Sequence, residues 1–265
     1  MKVVVIGGTG LIGSKVVQKL NGLGHDAVAA APNTGINTVT REGLPEALTG
    51  AEVVVDVSNS PSLDDQAAMD FFQASGRNLA TAEVDAGVKH HVALSVVGTE
   101  RLQDSGYFRA KLAQERLIRA SPIPYTLIRA TQFFEFMRAI AQNSTVGDRV
   151  RLPPVQFQPM AADDVASALV DAALAEPVNG TIEIAGRDTF TMDEAIGRLL
   201  DFDKDQRKVV ADLDAPYFGV QVRERTLMPD SSARLGPTRF DWWLTHVPPP
   251  SRAAAAAAPV AEPAH

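Results

Sequence analysis

A short apolar run, Val3-Val4-Val5-Ile6, passes directly into Gly7-Gly8-Thr9-Gly10-Leu11-Ile12-Gly13, and a stretch with helical spacing of apolar residues, Ser14–Leu20, follows without a break. A strand that ends in glycines at intervals of three and starts a helix makes a turn few other residues tolerate. One glycine bends the chain, a second lets backbone N–H groups come close to a ligand, and a third lets helix and strand pack tightly. The helix N-terminus then presents free N–H groups at the positive end of its dipole. Gly7, Thr9, Gly10, Leu11, Ile12 and Gly13 are therefore expected to hold a diphosphate. The Gly-Lys-Ser/Thr ending of a mononucleotide loop is missing, so a dinucleotide is the expected ligand.

The same alternation continues along the chain. Apolar runs recur at Val3–Ile6, Ala27–Ala31, Val53–Val57, Val92–Val97, Tyr125–Ile128 and Thr181–Ala185. Short continuous runs suit strands buried on both faces of a parallel sheet. Between them Ile12, Val16, Val17 and Leu20, then Met69, Phe71 and Phe72, then Leu112, Leu117 and Ile118, fall at helical intervals. The expected fold is α/β, a doubly wound parallel sheet. One helix is expected to begin at Ser62, with Asp65 three positions on as its capping partner. After Glu176 the alternation weakens, and a further amphipathic helix is expected at Met192–Leu200, behind Thr191. Residues 1–246 read as one dinucleotide-binding domain whose smaller C-terminal substrate-binding region covers approximately 186–246. Residues 247–265, with Pro248-Pro249-Pro250 and six consecutive alanines, read as a disordered tail.

Composition narrows the functions available. Twenty-five Lys and Arg against 32 Asp and Glu give a net charge of −7, which opposes attraction to nucleic acid or to an anionic membrane surface. With no cysteine, the chain has no disulfide, thiolate-held cluster or thiol nucleophile, and redox chemistry needs a borrowed cofactor. No apolar run approaches the roughly 20 residues of a membrane span, and the first is too short for a secretory core of about 7–15 residues. A cytoplasmic protein acting on a small-molecule substrate is expected, without nucleic-acid or membrane partners; a homodimer is left open.

The end of the second strand bears on which dinucleotide is bound. Val28–Gly35 reads Val-Ala-Ala-Ala-Pro-Asn-Thr-Gly, with no carboxylate to hold both ribose hydroxyls and repel a 2′-phosphate. NADP is favoured over NAD, with Asn33 and Thr34 as neutral donors, although the next basic residue is Arg41. Pro32-Asn33-Thr34-Gly35 also reads as a plain turn, compatible with either cofactor.

Tyr107 and Lys111 lie four apart on one face of a helical stretch. An ammonium beside a phenol favours the phenolate and lowers a pKa of about 10 toward working pH, as a general acid/base requires. Ser95, at the C-terminal end of the strand before it, is placed to hold the same substrate oxygen. Gly7-Gly8-Thr9-Gly10-x-x-Gly13, Ser95 within Ala-Leu-Ser-Val-Val-Gly, Tyr107-x-x-x-Lys111 and Ile123-Pro124-Tyr125-Thr126-Leu127-Ile128-Arg129 together resemble the short-chain dehydrogenase/reductase superfamily, in its atypical NmrA-like, NAD(P)H-binding branch, from about Lys2 to Leu244. The resemblance implies a Rossmann-type fold and hydride transfer to a carbonyl or quinone-like substrate. It makes Ser95, Tyr107 and Lys111 the catalytic set, with Lys111 also on the cofactor ribose. It places Ser58, Asn59 and Ser60 over the cofactor, and Ala130, Thr131 and Phe133 beside the nicotinamide. Many NmrA-like relatives bind the dinucleotide as redox sensors without turnover, which is the competing expectation. Nucleotide-sugar lyase or epimerase chemistry is a third.

Other features read as structural. His90 and His91 are adjacent on a strand, so their side chains take opposite faces and no metal site is expected. Asp201–Asp205 departs from a calcium loop at Gln206 and Asp212. Asp163 and Asp164 suit a helix start. Phe133, Phe134, Phe136 and Met137 fit a substrate pocket or the core equally well, and Trp242-Trp243 fits packing or a partner surface.

Overall fold

The computed structural model describes residues 1–62 and 64–247, so the expected tail beyond Val247 lies outside the described residues. The chain runs β1 (Lys2–Ile6), α1 (Leu11–Gly22), β2 (Asp26–Ala30), α2 (Leu44–Leu48), β3 (Val53–Asp56), α3 (Asp65–Ala86), β4 (His90–Val96), α4 (Gly106–Ala120) and β5 (Tyr125–Ala130). It continues through α5 (Met137–Asn143), β6 (Thr145–Val146), β7 (Arg149–Leu152), β8 (Gln156–Phe157), α6 (Ala162–Leu174), β9 (Gly180–Ala185) and β10 (Phe190–Thr191). It ends with α7 (Met192–Phe202), β11 (Lys208–Ala211), β12 (Arg234–Leu235) and α8 (Phe240–His246).

Seven strands pair in parallel in the order β12-β9-β5-β4-β3-β1-β2. The apolar runs form these strands because both faces are covered. Val3 and Val5 face α1 and α6, packing with Ile12, Val16 and Leu169. Val4, Ile6 and Val54 face the other way, against Leu44, Leu48 and Leu79. The winding direction reverses between β1 and β3, and the crevice beyond their carboxyl ends is where such sheets bind ligands. This is the expected doubly wound α/β architecture.

Helix α3 starts two residues later than the Ser62 reading placed it. Asp64 is the N-cap, its carboxylate accepting the Gln66 and Ala67 N–H groups at 3.1 and 2.9 Å, while Ser62 Oγ accepts the Asp64 N–H. A carboxylate at the cap also meets the positive helix end, which a hydroxyl does not.

Two strands of the 186–246 segment, expected to form the smaller region, pair with an earlier stretch of the chain. A three-stranded sheet, β11-β7-β6, and a pair, β10-β8, draw on residues 145–157 as well, and β12 returns to the main sheet beside β9. These short strands carry at most three apolar residues in a row, Val209-Val210-Ala211 in β11. The alternation Arg149-Val150-Arg151-Leu152, with only Val150 and Leu152 buried, was their one sequence signal. Phe134, Phe157, Ile196, Leu199, Phe240 and Trp243 form the core beneath. Among the described residues no helix is long and apolar enough to cross a membrane.

Candidate cofactor and active site

At the end of β1, Gly7 adopts φ +77° and a β-carbon there would lie 2.9 Å from the Val57 carbonyl. A β-carbon on Gly13 would lie 2.2 Å from the Gly7 carbonyl, so the first turn of α1 rests directly on the loop. Gly7 and Gly8 donate their N–H groups to Ala30 O, and Gly10 donates to Gly7 O. Helix α1 opens at Gly10 with no side-chain cap and no acidic residue in its first turn. Its leading N–H groups, at exposed Leu11 and buried Ile12 and Gly13, are those a diphosphate would satisfy.

Asn33 and Thr34 sit in a single 3₁₀ turn after β2. Thr34 Oγ1 accepts the Ala31 N–H at 3.0 Å and has the Ala29 and Ala31 carbonyls at 3.0 and 2.9 Å. It closes the turn on itself and is not held ready as a phosphate donor. Asn33 Oδ1 accepts from Thr9 Oγ1 at 3.1 Å, tying the β2 end to the glycine loop and leaving the amide NH₂ outward.

The ends of β3 and β5 supply a second set. Ser58 Oγ, Thr131 Oγ1 and both amide atoms of Gln132 are buried without a hydrogen-bond partner. Buried polar groups are nearly always paired, so a row of unpaired ones at the carboxyl edge of the sheet marks where a polar ligand belongs. Ala130 is buried as the last residue of β5, Ser60 is buried and accepts the Ser62 N–H, and Asn59 is exposed. Phe133 forms a bridge with Met160 and packs toward α6. These residues fit a dinucleotide: a tight amide-lined loop for the diphosphate, and neutral unpaired donors and acceptors for its ribose and amide.

Tyr107 stands in the first turn of α4, partly buried against Phe72 and Phe108, and its hydroxyl donates to Asn59 Oδ1 at 3.1 Å. Lys111, one turn on, is buried; its ammonium donates to Leu94 O at 2.9 Å and Gln114 Oε1 at 2.5 Å, and lies 4.7 Å over the Phe72 ring. Gln114 in turn donates to Asp56 at 2.8 Å. The expected lowering of the phenol pKa is not what this arrangement gives. Burial pushes Tyr107 up to about 12, and burial brings Lys111 down to about 8 against the opposing pull of Asp56 and Glu115. The ammonium is directed at the Leu94 carbonyl and Gln114, so its charge does little for the phenolate.

Ser95 is not brought to Tyr107. Its hydroxyl donates to Glu115 at 2.7 Å, and Glu115 is held bidentate by Arg129, at 2.9 and 2.6 Å. Glu115 lies eight positions after Tyr107, about 12 Å along the helix at 1.5 Å per residue. The serine belongs to a buried ion cluster that locks α4 onto β4 and β5. Glu115, Arg129, Asp56 and Gln114 were not singled out as site residues in the sequence, whereas Gln132 lies in the loop expected beside the nicotinamide. An acidic residue closing the buried run Val53–Val55 was the one available signal, at Asp56.

The NAD(P)H-binding family matches residues 7–177. The chain belongs to that family. A photosystem II assembly factor, Ycf39, of Synechocystis is 24% identical over 191 residues, 65% of this chain and 58% of its own. The chain thus spans well under two thirds of that relative. A short-chain dehydrogenase/reductase superfamily protein of Agrobacterium tumefaciens, solved with NAD, superposes with a TM-score of 0.69 at 16% identity over 97% of each chain. The UDP-glucose 4-epimerase of Thermus thermophilus with NAD gives 0.68 at 16% over 92% and 96%. RMD of Pseudomonas aeruginosa with NADPH gives 0.61 at 14% over 91% of each. This NAD(P)H-binding chain therefore has the fold of the short-chain dehydrogenase/reductase superfamily.

The remaining features resolve within the fold. His90 bonds Thr126 at 2.9 Å and His91 bonds Glu83 at 2.6 Å, partners on different elements. Asp163 pairs with Lys19, and Asp164 accepts from the Thr238 N–H and hydroxyl, tying α6 to α1 and to the segment before α8. Of the aromatic cluster, Phe134 and Met137 are core, whereas Phe133 and Phe136 are half-buried. Trp243 is buried and donates to Glu135, while Trp242 is exposed and stacks on His246.

Proposed function

We propose that the chain is an NAD(P)H-dependent oxidoreductase that reduces a carbonyl or quinone-like substrate, with Tyr107 as proton donor. The unpaired buried Ser58 Oγ, Thr131 Oγ1 and Gln132 amide carry this reading, because together with the uncapped α1 they supply partners for a dinucleotide on the Tyr107 side of the sheet. The reduced nicotinamide, when bound, supplies a hydride to the substrate carbon. Tyr107 gives its proton to the substrate oxygen as the new C–H bond forms, so that a carbonyl becomes an alcohol, and the phenolate regains a proton from water. A phenol with pKa about 12 is protonated at neutral pH and is suited to the donor role. The Lys111 ammonium has three donors, of which Leu94 O and Gln114 take two, leaving one for a ribose hydroxyl. The turn after β2 brings no carboxylate against a 2′-phosphate and offers the Asn33 NH₂, which supports NADP over NAD.

The test is a fluorescence titration with NADPH and NADH, followed by loss of reduced-nicotinamide absorbance with a panel of carbonyls and quinones. Tighter binding of NADPH and turnover on at least one acceptor are expected; binding of neither nucleotide overturns the reading. The diversion of Ser95 into the Glu115–Arg129 cluster favours one alternative, a dinucleotide-binding regulatory protein, which predicts binding without turnover on any acceptor.

A further inference from the structure

The position expected for Ser95 beside Tyr107 has other claimants. Gln132 follows β5, is 6% exposed, and leaves both amide atoms without a hydrogen bond of ordinary geometry. It stands against Tyr217, which is 5% exposed and comes from the segment between β11 and β12. Tyr217 is a buried member of the apolar cluster against which Tyr107, Phe136 and Phe218 pack, and burial first, then the nearby Tyr107, keeps its phenol protonated well above the ordinary range.

The backbone presents Tyr217 with unusual firmness. Tyr217 and Val220 exchange N–H···O bonds of 2.8 and 3.2 Å around Phe218 and Gly219, whose φ values are +46° and +81°. Two successive positive φ angles make a type I′ hairpin, which ordinarily carries Asn, Asp or Gly at its first corner. A bulky aromatic there is strained and persists where surrounding contacts hold it. Here Phe218 stacks on Phe136, centroids 5.6 Å apart and planes at 23°, and meets Tyr217 edge-on at 4.9 Å. Both members of the stack remain half-buried.

We infer that Tyr217 and Gln132 form the oxygen-binding corner of a substrate pocket for a planar, uncharged ring carrying a carbonyl, with Phe136 and Phe218 as its aromatic wall. The inference rests on the proposed reductase reading and names its substrate class. Tyr217 donates a hydrogen bond to the oxygen that Tyr107 protonates, stabilising the charge that grows there, and transfers no proton itself. Gln132 completes the corner by donating from its amide NH₂, while its amide oxygen stays available to the dinucleotide.

The experiment compares wild type, Tyr217→Phe and Phe218→Asn in three measurements: NADPH titration, steady-state reduction of 1,4-naphthoquinone, and calorimetric binding of 1,4-naphthoquinone to the NADP⁺-loaded protein. Tyr217→Phe should keep NADPH affinity and lose about 10–100-fold in kcat with a smaller change in KM, as for a donor acting mainly on the growing charge. Phe218→Asn keeps the turn, since Asn accepts a positive φ, and should raise KM and the naphthoquinone dissociation constant about 3–10-fold with kcat less affected. Unchanged kinetics in both variants overturn the inference while leaving the reductase reading in place. So does a wild-type protein that binds NADPH but takes UDP-glucose in preference to naphthoquinone. A wild-type protein that binds neither NADPH nor NADH overturns the reductase reading itself, and the inference falls with it.

Discussion

Tyr107 and Lys111 share a face of α4, yet their environments push them in opposite directions: the phenol toward about 12 and the ammonium toward about 8, in each case first by burial. Because the phenol stays protonated, reduction should show no inflection from Tyr107 below about pH 11. Tyr107→Phe should cost about 10²–10⁴-fold in turnover with NADPH affinity nearly intact. A rate equal to wild type would remove Tyr107 from the mechanism. His91 gives a second residue-level prediction. Burial opposes its charging, but the Glu83 carboxylate at 2.6 Å, with the Asp56 charge adding to it, outweighs burial and raises its pKa from the ordinary value of about 6.5. The folded state thus binds the proton more tightly than the unfolded chain. The stabilisation is complete below the ordinary value and is lost as pH rises through the raised one. Urea midpoints should therefore fall with increasing pH above neutrality. Glu83→Gln should flatten that slope and cost about 3–5 kcal/mol, as for breaking a buried pair. A slope undiminished in the variant assigns it elsewhere.

At the scale of elements, the β1–α1 turn and the β2 end make separable predictions. A β-carbon on Gly13 meets the Gly7 carbonyl and the Gly8 Cα, both backbone, so neither can swing away. Gly13→Ala should destabilise the fold by about 1–3 kcal/mol and weaken both NADPH and NADH, read by thermal melts and nucleotide titration. Asn33→Asp puts a carboxylate where a 2′-phosphate would lie. It should weaken NADPH about tenfold while sparing NADH, and equal losses for the two nucleotides would place the 2′-phosphate elsewhere. The turn itself was plain in the sequence because its chemistry is local: three glycines, a strand before them and a helix after. The roles of Asn33 and Thr34 were legible only in part. Thr34 had two uses open to it, and its hydroxyl took the backbone groups of its own turn, which are always within reach.

On the scale of the whole molecule, the smaller region is held by aromatic packing around Phe240, fully buried between Phe134, at 5.1 Å, and Phe190, at 5.5 Å. Glu135 joins this region to α6, accepting the Ala162 N–H at 3.0 Å and the Trp243 indole N–H at 3.1 Å. Phe240→Ala should lower stability by about 3–5 kcal/mol in chemical denaturation, while the folded fraction keeps its nucleotide affinity, because the glycine loop lies at the far strands β1 and β2. A variant that unfolds without loss of cooperativity and still binds NADPH would show that the two regions share one core.

Sequence by itself determined the parallel sheet, the order of its helices and the glycine loop, since each rests on neighbours in the chain: apolar runs of strand length, helical periodicity, and residues without a β-carbon at a turn. It also placed Tyr107 and Lys111 on one helical face. Only the tertiary structure decided what those side chains meet. Ser95 went to Glu115 because Arg129, arriving from the adjacent strand β5, fixes that carboxylate beneath α4. Tyr217 reached the site from 110 positions beyond Tyr107 through a hairpin whose corner residue defies its own backbone preference. Burial and long-range pairing set pKa values and hydrogen-bond partners, and neither is a property of the local sequence.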